Sequence, residues 1–343
     1  MMEKKRTPIS EYGEFGLIRH LTGSIRLTQA SSIVGVGDDA AVLSYENEQV
    51  LVTSDLLLEG IHFDLTYTPL KHLGYKAAVV NFSDIYAMNG QPRQLIVSMG
   101  ISKRFCVEDL DDLYTGMRLA CENYGVDLVG GDTSASMTGL TLSLTCIGAG
   151  EKGRIVLRSG ARENDLICVS GDLGAAYMGL QLLEREKHVF QHTNEPQPDF
   201  TGKEYLLERQ LKPEARKDII EKLAEHAILP NAMIDISDGL SSELLHLCTN
   251  SGYGCRVYED KIPIDYQTAV LAEEMNLNLT TAALNGGEDY ELLFTVPLSQ
   301  HETINTLPGI KVIGHVCTKN MGCRLITRDG QEIDLKAQGW RSV

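Results

Sequence analysis

The sequence predicts a mixed α/β protein in two lobes, and three observations carry that prediction. Strand-like and helix-like segments alternate along most of the 343 residues; residues 139–147 alternate apolar and polar; and a stretch rich in Gly and charge interrupts the pattern at 148–163. In order, residues 33–43 and 49–54 read as strands joined by a turn around Glu46–Glu48. Residues 69–90 read as a helix, because Leu73, Ala77, Val80, Ile85 and Met88 recur near helical spacing and an Asn-Gly pair closes it. A strand over 94–101 precedes a helix that begins at Val107 and stops at Gly125, and VDLVGGD (126–132) reads as a strand running into a loop. Leu140, Leu142, Leu144 and Cys146 then face one way and Thr141, Ser143 and Thr145 the other, the pattern of an antiparallel strand with one face buried. This places an N-terminal domain at 1–150 and a C-terminal α/β domain at 151–343. The latter runs from a strand at 165–171 through a helix at 175–187, a polar stretch at 188–203 and further helices to about 227, then the strand AMIDIS (232–237) and a helix after Ser237.

Composition narrows the class. Hydrophobic content of 43% and charged content of 23% fit a globular chain. No apolar run reaches the roughly 18 residues of a spanning helix, and the first residues have no apolar leader region, so a cytoplasmic location and no membrane partner are expected. Eight cysteines show neither a CxxC pair nor zinc spacing, and Cys146 and Cys168 sit inside apolar runs, so reduced core thiols are expected. The net charge of −16, from 31 basic and 47 acidic residues, argues against nucleic acid. It would also repel a nucleotide, unless cations reverse the sign locally.

Several motifs fail on context. GVGDDA (35–40) matches a relaxed dinucleotide fingerprint, yet strand-like sequence follows it and two aspartates would face the phosphates. There is no P-loop, no G-x-S-x-G, no H-E-x-x-H and no protein-kinase signature.

What remains is a set of acids beside Gly or Ser: Asp38, Asp39, Asp55, Asp84, Asp132, Asp235 and Asp238. Most follow a strand-like run, where α/β folds place ligand sites. Asp84 falls four residues after Val80 and four before Met88, inside an apolar helical stripe, where an unpaired charge costs several kcal/mol. It is either a salt-bridged core or cap carboxylate, or a ligand for a hard cation such as Mg2+. Taken singly, the others read as turn or cap residues, and Asp235 and Asp238 as a strand end and the N-cap of a helix from Gly239. Gathered at one edge, they would repel one another unless cations bridged them.

At these residues the chain resembles the thiamine-monophosphate kinase family, within the superfamily of aminoimidazole ribonucleotide synthetase. The motifs are GVGDDAAV, VTSDLLLEGIHFDL, GYKAAVVNFSDIYAMNGQP, LVGGDTS, RSGA, IDISDGL and NGGEDYELLFT, in that order from about residue 10 onward. The resemblance implies that two-domain fold, with N-terminal sheets paired across a homodimer barrel, and ATP-dependent phosphorylation of thiamine monophosphate with Mg2+. It also implies roles. Asp38, Asp55, Asp84, Asp132, Asp235 and Asp238 look like magnesium ligands, with oxygens from Thr53 and Ser54. Gly131, Asp132, Arg158 and Ser237 look like ATP contacts, and Tyr114 is placed with them only by spacing. His62, Glu288 and Trp340 look like contacts to the thiamine side.

Each single residue keeps a structural alternative. Trp340 covers a core edge or stacks on the thiazolium; His62 is a loop histidine, Arg158 a linker salt bridge, and Glu288 a turn acid. Rival readings are a purine-pathway synthetase, a selenophosphate synthetase or a hydrogenase-maturation enzyme of the same superfamily, or a silent nucleotide-binding protein. The first cysteine, Cys106, and the ending QGWRSV speak against the selenium and maturation chemistries, which want cysteines near the N- and C-terminus respectively.

Overall fold

The structure is a computed structural model, described over residues 7–8, 11–12, 17, 20–34, 42–45, 47–192 and 200–338. Asp38, Asp39, Trp340 and the centre of the polar stretch lie outside the described residues. The chain divides into two compact units, Met1–Ile85 with Gly90–Gly153, and Tyr86–Asn89 with Arg154–Val343. The turn at Tyr86–Asn89 joins the second unit because Val156 N donates to Met88 O (3.1 Å) and Asn89 Nδ2 to Arg154 O (2.9 Å).

In the first unit, β1 (Ser32–Val34) pairs with β2 (Val42–Leu43) in a small ribbon. A four-stranded sheet follows from β3 (Glu48–Leu58), β4 (Gln91–Ile101), β5 (Asp127–Ala135) and β6 (Thr141–Glu151), in the order β3-β6-β4-β5. Helices α1 (Leu70–Ala87) and α2 (Val107–Tyr124) pack with this sheet. The alternation read at 139–147 is present: Leu142, Leu144 and Cys146 are fully buried. The opposite face is open, with Val50, Val52 and Leu56 of β3 between 47% and 66% exposed.

Two glycines explain how the helices approach. A Cβ on Gly74 would lie 1.9 Å from Leu113 O, and one on Gly116 would lie 1.8 Å from Lys71 O, so α1 and α2 meet backbone to backbone. Helix α2 starts at Cys106, whose N–H donates to Asp109 Oδ2 (2.8 Å), and ends at Gly125 in the left-handed region (φ 69°).

The strands run further than the sequence predicts. Strand β3 pairs with β6 from Glu48↔Glu151 to Leu58↔Thr141, so Asp55 sits within the strand and not at its end. Asp132 likewise lies inside β5. The three leucines after Asp55 carry the ladder on, and a polar residue at one position does not stop a strand whose backbone is paired on the next.

The second unit holds a seven-stranded sheet from β7 (Leu166–Ser170), β8 (Ala232–Asp235), β9 (Gly254–Tyr258), β10 (Leu292–Val296), β11 (Ile310–Cys317), β12 (Cys323–Ile326) and β13 (Glu332–Asp334). Its order is β13-β12-β9-β11-β7-β10-β8, and only the β9–β12 pair is parallel. The helices are α3 (Ala175–His192), α4 (Glu204–Leu211), α5 (Lys217–Glu225), α6 (Leu240–Ser251), α7 (Tyr266–Glu274), α8 (Leu279–Asn285) and α9 (His301–Thr306). Ile167, Val169, Leu244, Leu247 and Leu293 form one buried core, and Met178, Leu182, Leu206 and Leu271 a second one beneath α3, α4 and α7.

Candidate functional site

In the first unit the register of four strands sorts the predicted residues by face. One row across the sheet is Asp55, Leu144, Val97 and Gly131; the next is Leu56, Ser143, Ser98 and Asp132. Residues directly opposite share a face and successive residues alternate, so the first row points toward the helices and the second away. Thr53, opposite Cys146, joins Asp55 on the helix side.

There α1 supplies the third member. Thr53 Oγ1 donates to Asp84 Oδ2 at 2.5 Å. Burial pushes the Asp55 carboxyl up to about 7, and the Asp84 carboxylate beside it adds to the shift. Asp84 is half-buried between fully buried Ser83 and Ile85, so the acid in the apolar stripe is real and faces the strand. Two carboxylates and a hydroxyl thus share one half-buried spot, a donor set of hard oxygens.

The same register separates residues that the sequence groups together. The Ser54 hydroxyl lies on the open face, donating to Leu144 O (3.1 Å) and lying 3.0 Å from Thr145 Oγ1. Asp132 shares that open face and is exposed. Gly131 has a packing reason to be glycine, since a Cβ there would lie 1.9 Å from Val97 O. Tyr114 is only 5% exposed, within the core side of α2, and burial pushes its hydroxyl up to about 12. His62 closes the turn after β3: Leu58 N–H donates to its Nδ1 at 3.0 Å, which leaves the ring proton on Nε2 in the neutral form.

In the second unit, two loops far apart in sequence are joined. Ile236 N donates to Glu291 O (2.7 Å), Tyr290 N to Ile236 O (2.8 Å) and Glu288 N to Ser237 O (2.6 Å). The DISDG and GGEDY motifs therefore continue the β8–β10 ladder, with Asp235, Ser237, Asp238 and Glu288 along it. Gly287 needs its left-handed backbone (φ 72°) and its missing side chain, because a Cβ would lie 2.7 Å from Ser237 O. Asp235 is buried and Asp238 half-buried. Asp238 is not the cap of α6; Gly239 holds that position without a side-chain bond. Gln210 Nε2 donates to Glu288 Oε2 (2.7 Å). Arg158 is exposed and has no ion pair among the described residues. Its segment is anchored at Leu157, whose carbonyl accepts from Met233 N (3.0 Å) beside β8.

Sequence reasoning missed Glu243 and a buried ion network. Glu243 is 2% exposed; its Oε1 accepts from Asp238 N (3.1 Å) and its Oε2 has no partner among the described residues. Burial pushes it up to about 8, with Asp238 and Asp235 adding to the shift. The signal for it was the one used for Asp84: an acid inside the stripe of Leu240, Leu244 and Leu247. In the network, fully buried Glu291 takes Arg209 Nη1 at 2.8 Å, and Arg216 and Ser170 in shorter contacts. Asp289 receives Gly174 N (2.8 Å) and Ala176 N (3.4 Å) at the start of α3. The acids of GGEDYE thus divide, Glu288 toward the loop surface and Asp289 and Glu291 into the scaffold.

Residues 37–149 match the family model for AIR synthase related protein, N-terminal domain. The thiamine-monophosphate kinase of Aquifex aeolicus is 35% identical, over 97% of this chain and 99% of its own. That of Bacillus subtilis is 34% identical, over 95% and 98%. Among solved structures, AaThiL complexed with AMPPCP and TMP superposes with a TM-score of 0.74 at 33% identity, covering 100% of both chains. Thiamine-monophosphate kinase from Stenotrophomonas maltophilia gives 0.77 at 29% identity, over 92% of this chain and 95% of that one. Hydrogenase maturation protein HypE gives 0.75 at 18% identity, over 94% and 98%, a likeness of fold alone.

Proposed function

The chain belongs to the thiamine-monophosphate kinase family, and we propose that it transfers the γ-phosphoryl group of ATP to thiamine monophosphate, giving thiamine diphosphate and ADP, with Mg2+ held by its aspartates. The observation that carries this reading is the Thr53, Asp55 and Asp84 cluster. Asp55 is uncomfortable as an anion in the bare protein, and a divalent cation removes that discomfort. The donors are all oxygen, as Mg2+ prefers. In the second unit, Asp235 and Asp238 add to the upward shift of the buried Glu243 carboxyl, so negative charge gathers there too.

In this reading Asp38, Thr53, Ser54, Asp55, Asp84, Asp132, Asp235 and Asp238 hold several Mg2+ ions, Asp132 on the open face serving a different ion from the Asp55 and Asp84 pair. For Ser54 the backbone carbonyl is the oxygen in question, since its hydroxyl is turned to the open face. When bound, Mg2+ neutralises phosphate oxygens that this acidic chain would otherwise repel. The protein's own part is positioning. Within the first unit Thr53 fixes Asp84; within the second the exposed Arg158 offers a bidentate fork to phosphate, and the Ser237 and Glu288 loops are joined by a backbone bond. Tyr114 as an ATP contact is the weakest assignment, because burial leaves little of it to touch a ligand.

No general base is required. The acceptor phosphate monoester has a second pKa of about 6 and is largely dianionic at neutral pH, so it attacks directly and no phosphoenzyme forms. A homodimer through the open face of the first unit belongs to the same reading, supported by the exposed Val50, Val52 and Leu56, as does work in the cytoplasm. No described helix is long and apolar enough to cross a membrane. Chromatography of a reaction with ATP, Mg2+ and thiamine monophosphate tests the assignment: thiamine diphosphate and ADP should appear in equal amounts. ADP without thiamine diphosphate would refute the acceptor.

A further inference from the structure

Three thiols converge in the second unit, and none of them belongs to the site proposed above. Cys248 lies on α6, Cys255 on β9 and Cys323 at the start of β12, and their sulfur atoms all lie within 4.8 Å of one another. Cys255 and Cys323 are register neighbours in the parallel β9–β12 pair, and Cys248 reaches them from the helix that precedes β9. No linear spacing reveals the group, which is why the sequence reads these cysteines as separate core thiols. Burial alone explains one thiol in a core, where it packs as a small hydrophobe. It does not explain three sulfurs brought to one point from three elements.

The surroundings suit coordination. Cys248 and Cys255 are buried, and Cys323 is half-buried against the core that contains Leu325 and Leu335. The Cys248 and Cys255 thiols beside it draw the pKa of Cys323 below the ordinary cysteine range, while their own are pushed up. Thiolates bound to zinc at about 2.3 Å sit roughly 3.8 Å apart, so the three sulfurs are within about 1 Å of ligand spacing.

We propose that Cys248, Cys255 and Cys323 form a binding site for a thiophilic cation of the Zn2+ class, completed by a solvent oxygen on the half-buried Cys323 side. Binding breaks the S–H bonds that Cys248 and Cys255 still carry, forms three sulfur–metal bonds and releases those protons to solvent, so no electrons move and no oxidant is needed. Strand β12 lies near one margin of the sheet, held by β9 on one side and by three-residue β13 on the other. A bound ion ties that margin to α6 and stabilises it.

The test uses full-length protein, stripped of metal under reducing conditions and titrated with Co2+ and then Zn2+. The expected result is a sulfur-to-cobalt charge-transfer band that saturates with a single ion per chain and is erased by Zn2+. Cobalt on the aspartates has oxygen ligands and gives no such band. Cys323→Ala and Cys255→Ala should each lose the band and at least about tenfold in Zn2+ affinity, whereas Cys106→Ser in the first unit keeps both. Zn2+ should raise the unfolding midpoint of the parent more than that of Cys323→Ala, whose half-buried position tolerates the change if Cys255→Ala does not fold. A titration with no charge-transfer band, a band that survives both alanine variants, or a disulfide among these cysteines in protein prepared under reducing conditions would overturn the proposal.

Discussion

Thr53 Oγ1 donates to Asp84 Oδ2 across 2.5 Å, tying the middle of a strand to an acid in the last turn of a helix. The bond fixes one lone pair of the carboxylate and leaves the others directed by it. Thr53→Val keeps the shape and removes the donor. It should lower kcat by about tenfold, the effect of one misoriented ligand, with little change in the unfolding midpoint. Steady-state kinetics beside a thermal melt checks this; equal loss of activity and fold would make the bond merely structural.

Asp55 makes stability depend on pH in the metal-free protein. Its folded value, about 7, lies above that of an unfolded aspartate near 3.8, so the folded state binds the proton more tightly. Its contribution is fully present below about pH 4 and is lost as pH rises through 7. Glu243, at about 8, works in the same direction. Asp55→Asn should therefore stabilise metal-free protein at pH 8 by roughly 1–2 kcal/mol, allowing for partial exposure, and flatten the profile between pH 5 and 8. Urea unfolding at several pH values, in EDTA, reads this directly.

The helix crossing in the first unit should tolerate no side chain. Gly74→Ala or Gly116→Ala places a methyl against a backbone carbonyl of the facing helix. Each should cost about 1–3 kcal/mol or more, since backbone cannot swing aside as a side-chain tip can. A melt no lower than that of the parent would show that the helices can separate at little cost.

In the second unit, Arg209 is the cation that the buried Glu291 and Asp289 share, at 2.8 and 3.6 Å. Arg209→Met leaves Asp289 without its cation and Glu291 with Arg216 alone, and should cost about 3–5 kcal/mol, whereas Lys217→Met, an exposed pair with Glu221, should cost less than 1 kcal/mol. Guanidinium denaturation of both variants separates the two regimes.

Much of this was legible beforehand because the signals were local. Helix α2 announced its stop at Gly125 and β6 its face by alternation, and Asp84 stood out as an acid in an apolar stripe. The joining of Ser237 to Glu288 was not legible, because strand order in a largely antiparallel sheet comes from long-range pairing that no local spacing encodes. Nor was the face of each acid: a bulge between Leu95 and Ile96 resets the alternation between β4 and β5, and Asp132 ends on the open face while Asp55 does not. The thiol cluster was hidden for the same reason, its members lying on one helix and two strands.

The claim that the aspartates hold the catalytic metal is tested most directly by the rate of thiamine diphosphate formation against Mg2+ concentration, for the parent and Asp84→Asn. The account predicts no product in EDTA, full recovery on adding Mg2+, and for Asp84→Asn a rate lower by about a hundredfold or more that rises only at far higher Mg2+. An Asp84→Asn enzyme with the parent's rate and the parent's Mg2+ dependence would contradict it.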